Sequence, residues 1–136
     1  MNPDRAFTGS PWEARFGFAR AVRIGDRIIV AGTGPVEDNG TTTPGDAAAQ
    51  AARCCELICR ALARFGAGPE HVVRTRMLLT DPEDQEAVGA VHARVFGAAQ
   101  PAATMAGVAW LCGPDWKVEI EAEAIIPSQP PPADAR

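Results

Sequence analysis

The chain has 136 residues, which suits one domain with a substantial hydrophobic core. Its net charge is −4 and it has only 13 lysines and arginines, so it lacks the basic surface of a nucleic-acid-binding protein. No apolar run approaches the roughly 20 residues of a membrane span, and the first residues contain no apolar signal core. These properties predict a cytoplasmic protein whose partners are neither membranes nor nucleic acids.

The first third of the chain indicates a β-hairpin. Residues 1–15 show no clear periodicity and are expected to form an N-terminal segment outside the domain. Two apolar runs, 16–24 and 27–32, are joined by Gly25-Asp26, a dipeptide that is typical of a tight turn between strands. Residues 34–45 are rich in glycine, proline and threonine, which favours a loop.

Helices and strands alternate after this loop. Asp46 begins a helix as its N-cap, and apolar residues then recur at spacings of three and four up to Gly66. Asp81-Pro82 begins a second helix, with acidic residues in its first turn. Residues 127–136 are rich in proline and are expected to form a disordered tail. The remaining strands are predicted over residues 71–80, 101–111 and 117–126.

The last of these strands alternates strictly between apolar and acidic residues. Glu119, Glu121 and Glu123 occupy every second position, so one face is predicted to pack and the other to be polar. The strand 71–80 carries Arg74 and Arg76 on one parity, and side by side the two strands would set arginines opposite glutamates. Such exposed pairs contribute about 0.2–1 kcal/mol each, and we expect Glu121 and Glu123 to form a charge ladder. Glu119, nearest the start of the strand, is the candidate for chemistry.

The order of elements, β-β-α-β-α-β-β, predicts an α+β fold in which both helices cover one face of the sheet. Residues 16–126 would form this single domain. The other face of the sheet would be bare, and a bare face with apolar positions favours oligomerisation.

The four cysteines indicate neither a disulfide framework nor a metal site. Cys54, Cys55 and Cys59 crowd one helix, no C-x-x-C motif is present, and the two histidines are not spaced as ligands. Reduced cysteines are therefore expected, with Cys55 and Cys59 as small core residues. Cys112, in a turn, is expected to expose its thiol. No metal or other cofactor is predicted.

Short motifs are distributed from Phe16 to Ile126. They are Ala21-Val22-Arg23-Ile24-Gly25-Asp26, Val30-Ala31-Gly32 followed by Pro35, Gly45-Asp46 with Gln50, Val73-Arg74-Thr75 leading to Leu79-Thr80-Asp81, Pro101-Ala102, and Val118-Glu119-Ile120-Glu121-Ala122. In this order and spacing they resemble the Rid (reactive intermediate deaminase) family, also called the YjgF family, some members of which carry the name endoribonuclease L-PSP. The resemblance implies a chorismate-mutase-like fold and a homotrimer. In such a trimer the sheets line a central barrel and three clefts lie between subunits.

Deaminating members of the Rid family hydrolyse enamines and imines to keto acids and ammonia. In them an arginine after Pro-Ala clamps the substrate carboxylate, and the resemblance places Ala103 at that position. The family's cleft tyrosine falls on Phe18, its serine in the second strand on Ala31, and its helical asparagine on Gly89. The chain therefore resembles a subgroup of the family that lacks the clamp arginine.

Other parts of the family's cleft are retained. They are Pro101, the backbone around Met105, and Glu119, whose counterpart in the deaminases helps to position the attacking water. Thr33 and Thr104 would also shape the pocket.

Arg20 is the one replacement cation near the cleft strand, although an ordinary surface or interface role for it is open. These residues imply a hydrolase of a small imine, enamine or related carbonyl compound of low acidity, with Glu119 as general base. The alternative is a non-catalytic trimer that binds a metabolite or a partner protein. Ribonuclease activity is disfavoured by the acidic charge and by the lack of a histidine pair or metal cluster in the sequence.

Overall fold

The strands form one mixed sheet. The computed structural model describes residues 3–127, and the tail expected over 127–136 lies outside the described residues from residue 128 onward. Within the described residues, the sheet order is β1-β2-β3-β6-β4-β5, with β4 and β5 parallel and the other neighbours antiparallel. This arrangement confirms the predicted α+β class. The elements are β1 (Asp4–Ala6), α1 (Pro11–Phe16), β2 (Ala21–Ile24), β3 (Arg27–Thr33), α2 (Ala47–Ala63), β4 (Val72–Leu79), α3 (Gln85–Phe96), β5 (Ala102–Gly107) and β6 (Val118–Ile125).

The long helices α2 and α3 cover one face of the sheet. α2 packs against β3, β6 and α3, and its stripe residues Ile58 and Leu62 are fully buried. Asp46 caps α2 as predicted, because its carboxylate accepts a hydrogen bond from the amide of Ala49 at 2.9 Å. Full burial of a side chain as large as Ile or Leu stabilises the fold by about 1.5–3 kcal/mol. The alternation of β6 is confirmed, and its buried residues are Val118, Ile120, Ala122 and Ala124.

The expected charge ladder runs across β3, β6 and β4. Arg76 lies opposite Glu121, and their side chains approach to 3.3 Å. Arg74 lies opposite Glu123, but Glu123 pairs instead with Arg27 of β3, at 2.7 Å. The ladder is therefore present with one partner exchanged, and its exposed pairs contribute about 0.2–1 kcal/mol each.

The N-terminal segment is part of the sheet, which corrects the expected boundary between residues 15 and 16. β1 pairs with β2 at one edge of the sheet, and α1 follows β1, so that boundary would cut a helix. The strand expected from Phe16 begins only at Ala21, because α1 uses the chain as far as Phe16. Gly17 then adopts the left-handed conformation (φ 76°) that ends α1.

β5 is shorter than the strand predicted over 101–111 and ends at Gly107. Its ladder partner within the chain is β4, and β4 ends at Leu79, which lies opposite Gly107. The amide of Val108 makes a last hydrogen bond to the carbonyl of Leu79 at 2.8 Å. Beyond this point β4 offers no further ladder, so the chain leaves the sheet.

All four cysteines are unpaired. Cys54 and Cys55 are buried in the core, and Cys112 is exposed as expected. Cys59 lies at the margin of the core rather than inside it, because it is only partly covered. Between residues 3 and 127, the structure contains no helix with the length and apolarity needed to cross a membrane.

Candidate functional site

A β-bulge interrupts β3 at Ala31 and Gly32. Val30 lies opposite Ala122 of β6 and Thr33 lies opposite Ile120, so the register shifts by one residue between them. A bulge disrupts the ladder locally, and the backbone groups it releases need other hydrogen-bond partners. Bulges are common beside active sites, where they change the direction in which side chains point.

Arg20 supplies hydrogen bonds to the bulge. Its Nη1 donates to the carbonyl of Gly32 at 2.7 Å and to Oγ1 of Thr33 at 3.2 Å. The Thr33 hydroxyl in turn donates to the carbonyl of Ala31 at 2.8 Å. The backbone of Arg20 takes part as well, since its carbonyl accepts from the amide of Ala31 at 2.9 Å. The structure thus brings three of the expected site residues, Arg20, Ala31 and Thr33, into direct contact.

Glu13 holds Arg20 from the other side. It is the one charged residue among residues 3–127 that is buried, at 4% exposure, and its Oε2 lies 3.9 Å from Nε of Arg20. Its carboxylate also accepts hydrogen bonds from the amide and hydroxyl of Thr8 and from the amide of Gly9, at 2.8–3.2 Å. Sequence reasoning missed Glu13, although a serine followed three residues later by glutamate, as in Ser10-Pro11-Trp12-Glu13, is typical of a helix start whose glutamate reaches back.

Phe18 lies against the guanidinium group of Arg20. The Cζ atom of Arg20 is 5.6 Å from the centroid of the Phe18 ring, within the range of a cation–π contact. Burial lowers the pKa of Arg20, and the nearby carboxylates of Glu13 and Glu119 counteract this. The guanidinium is thus desolvated but surrounded by groups that favour its charge.

Glu119 completes this first cluster. It lies on β6 beside the bulge, so close that a Cβ atom at Gly32 would be 2.6 Å from its Oε1. Burial raises the pKa of Glu119, the neighbouring carboxylate of Glu121 raises it further, and Arg20 opposes both. A half-buried carboxylate with a raised pKa can accept a proton or orient a water molecule.

Most of the other expected residues form a second cluster near the opposite edge of the sheet. β4 separates β5 from β6, and two strand spacings of about 4.8 Å place their backbones roughly 10 Å apart. The single chain therefore does not bring this cluster onto Glu119. Its members are Gly89, Pro101, Ala103 and Met105.

The second cluster is built from small and apolar groups. A Cβ atom at Gly89 of α3 would lie 3.8 Å from Cε of Met105 on β5, so the absence of a side chain there brings the helix close to the strand. Ala103 lies opposite Thr75 in the parallel register and is exposed. Thr104, also expected in the site, lies outside this cluster. It points to the opposite side of the sheet from Ala103 and Met105, the side of Arg76 and Glu121.

His92 adds a titratable group to the second cluster. Its Nε2 lies 2.7 Å from Oγ1 of Thr75, the residue opposite Ala103. Burial lowers the pKa of His92, which favours the neutral ring. No group of three or more His, Cys, Asp or Glu side chains within residues 3–127 could hold a metal ion.

Comparison with known proteins gives consistent results. The family model described as Endoribonuclease L-PSP matches residues 8–126. The Streptomyces coelicolor protein SCO2049 is 40% identical over 120 residues, which cover 88% of this chain and 90% of that protein. The RutC family protein YjgH of Escherichia coli is 31% identical over 114 residues, covering 82% and 85%.

A solved structure shares the fold. Rv2704 of Mycobacterium tuberculosis, described as a member of the YjgF/YER057c/UK114 family, superposes with a TM-score of 0.83 at 39% identity, covering 92% of this chain and all of that one. The chain is thus a six-stranded α+β protein whose candidate site, with the carboxylate of Glu119, lies beside the bulge in β3. The chain belongs to the Endoribonuclease L-PSP family, also known as the YjgF or Rid family.

Proposed function

We propose that this protein is a homotrimeric hydrolase that converts small imines or enamines of low acidity to carbonyl compounds and ammonia. The observation that carries the proposal is the half-buried carboxylate of Glu119, whose pKa is raised and which lies against Gly32 of the bulge. A carboxylate whose pKa approaches the working pH is suited to proton transfer. With its help water adds to the carbon of the C=N bond, a proton moves to the nitrogen, and the C–N bond breaks to release ammonia.

The proposed trimer would complete the site between subunits. Glu119 lies opposite Leu78 of β4, and Ala103 lies opposite Thr75 of the same strand. Because Leu78 and Thr75 differ in parity, Glu119 and Ala103 point to opposite faces of the sheet within one chain. A cleft that contains both residues would therefore need two chains. Sedimentation equilibrium is expected to give three times the chain mass of 14.3 kDa. A monomer at micromolar concentration would contradict this part of the proposal.

We expect the preferred substrate to lack a carboxylate. Ala103 cannot replace the bidentate, charge-assisted contact of an arginine. Arg20 already donates to the carbonyl of Gly32 and lies beside Glu13. Glu119 and Glu121 would repel an anion, so a neutral imine suits the first cluster better than an imino acid.

The test uses imines generated in situ. An amino-acid oxidase supplies imines that carry a carboxylate, and a flavin amine oxidase supplies imines that lack one. Hydrolysis is followed as a fall in the initial rate of semicarbazone formation, because semicarbazide traps the imine that has not yet been hydrolysed. Ammonia is not the readout, since trapping and hydrolysis both release it. The wild type is expected to accelerate hydrolysis of the neutral imines, and Glu119→Gln is expected to abolish the acceleration.

Glu123→Gln is the matched control, since it makes the same change of charge on the same strand but removes a glutamate that pairs with Arg27. It should retain the rate. Ala103→Arg restores the clamp position and is expected to shift the preference toward imino acids. An unchanged rate in Glu119→Gln would overturn the proposed mechanism.

The second candidate is a trimer that binds a metabolite or a partner protein without turnover. The small, exposed side chain at Ala103 favours it, because the residue that would bind a charged substrate is absent. Calorimetric titration with neutral carbonyl compounds and with keto acids separates the two candidates. Binding with no acceleration of any imine would select the binding function.

A further inference from the structure

A continuous series of polar contacts joins the N-terminal segment to the bulge. The amides of Thr8 and Gly9 donate to Glu13, Glu13 lies 3.9 Å from Arg20, and Arg20 donates to the carbonyl of Gly32 at 2.7 Å. We call the pair Glu13 and Arg20 the N-terminal bracket. The backbone runs in parallel with it, since the amide of Arg20 donates to the carbonyl of Ala6 in β1 at 2.9 Å.

These contacts leave Arg20 poorly placed to act as a substrate ligand. Its side chain is 18% exposed, and Nη1 is shared between the carbonyl of Gly32 and the hydroxyl of Thr33. The ring of Phe18 lies against its guanidinium group. A substrate anion would have to displace protein partners that are already in hydrogen-bond geometry.

We propose that Glu13 and Arg20 are positioning residues: Arg20 fixes the bulge beside Glu119, and Glu13 fixes Arg20, so that the N-terminal segment forms part of the site. The catalytic consequence rests on the proposed function, whereas the positioning itself does not. Without Arg20, the carbonyl of Gly32 loses its donor, and the bulge that makes room for the Glu119 carboxylate is no longer held. Arg20 also places a positive charge near Glu119, which lowers its pKa.

The test measures Glu119 directly and needs no substrate. The pKa of the Glu119 carboxyl is followed by carbon-13 NMR in the full chain, and hydrogen exchange is measured at the amide of Ala31, which is bonded to the carbonyl of Arg20. Arg20→Met is expected to raise the pKa of Glu119 and to accelerate exchange at Ala31 by about tenfold or more. Glu13→Gln is expected to change both quantities in the same direction by less.

Two further variants keep the test decisive. Arg15→Met removes an exposed arginine of α1 that contacts Trp12 and Phe16 rather than the bulge, and should change neither quantity. Arg20→Lys keeps the charge but loses the planar group, so it should leave the pKa of Glu119 close to that of the wild type while exchange at Ala31 becomes faster. It also serves where Arg20→Met fails to fold.

The outcomes separate this inference from the proposed function. The positioning role requires both changes in Arg20→Met, so unchanged exchange at Ala31 or an unchanged pKa of Glu119 overturns it. A shifted pKa with unchanged exchange would show only the loss of a nearby positive charge. If Arg20→Met does not fold and only Arg20→Lys can be measured, unchanged exchange at Ala31 in Arg20→Lys overturns the positioning role. A shifted pKa of Glu119 together with faster exchange at Ala31, in a protein that hydrolyses no imine, supports the positioning role and rejects the hydrolase.

Discussion

Gly32→Ala tests whether the position of the Glu119 carboxylate depends on the bulge. The added Cβ atom would lie 2.6 Å from Oε1 of Glu119, whereas ordinary contacts begin near 3.4 Å, so the carboxylate has to move by about 0.8 Å. Gly32 does not have a left-handed φ, so alanine causes no backbone strain. The added atom meets the end of a flexible side chain, so the free energy of unfolding should change by less than about 1 kcal/mol.

The effect on catalysis should be much larger. A displacement of about 1 Å in a reacting group costs on the order of 100-fold in rate, and we expect a loss of this size in Glu119-dependent hydrolysis. Movement toward solvent should also return the pKa of Glu119 toward its ordinary value, because burial is the largest cause of the rise.

Three assays measure the effect of Gly32→Ala: imine hydrolysis, carbon-13 NMR of the Glu119 carboxyl and urea unfolding. Gly107→Ala is the control, since the nearest atom to its added Cβ would be the carbonyl oxygen of Leu79 at 3.9 Å. It should behave as the wild type does. If Gly32→Ala retained both the wild-type rate and the wild-type pKa of Glu119, the close approach of Gly32 to Glu119 would have no role in placing the carboxylate.

Glu119→Gln should raise the free energy of unfolding at pH 7. The folded pKa of Glu119 lies above its unfolded value of about 4.3, so the folded wild type binds more protons in the window between the two values. The stability of the wild type therefore falls as pH rises through this window. The neutral glutamine of the variant avoids that loss. The gain should vanish below about pH 4, where both the folded and the unfolded wild type carry a neutral carboxyl. Glu86→Gln, at an exposed position, is the control and should show no gain. A Glu119→Gln variant less stable than the wild type at pH 7 would refute the burial argument. A thiol reagent at neutral pH should label Cys112 rapidly and Cys54 and Cys55 only as the protein opens, since burial raises the pKa of both, that of Cys55 to about 12. Rapid labelling of Cys54 or Cys55 in the native protein would contradict the packing of α2.

Long periodic elements could be predicted because each is determined by its own residues. The alternation in β6 and the capped apolar stripe of α2 both reflect burial on one face. β1 and α1 could not be predicted in this way, since they have three and six residues and too few positions to establish a period. Their stability comes from pairing with β2 and from the burial of Glu13, which depend on tertiary structure.

The candidate site was predictable only in part. Glu119 was distinguished by its place near the start of β6, and the structure places its carboxylate against Gly32 of the bulge; its catalytic role stays a prediction. The bulge arises from a shift in register between β3 and β6, and a register shift leaves no local pattern in the sequence. The hydrogen bond from Arg20 to the carbonyl of Gly32 depends on that shift, so it could not be predicted from the sequence.

The strand order has a consequence for the synthesis of this protein. β6 lies at the centre of the sheet, between β3 and β4, although it is the last strand among residues 3–127. A nascent chain that has not yet exposed residues 118–125 to solvent has β3 and β4 without their shared partner, and its buried β6 contacts cannot form. Transiently exposed hydrophobic surface and unpaired strand edges make such intermediates prone to aggregation. Truncation within β6 should therefore be far more damaging than removal of an equal length at the N-terminus, and a ribosome stalled before residue 118 should hold a substrate for chaperones.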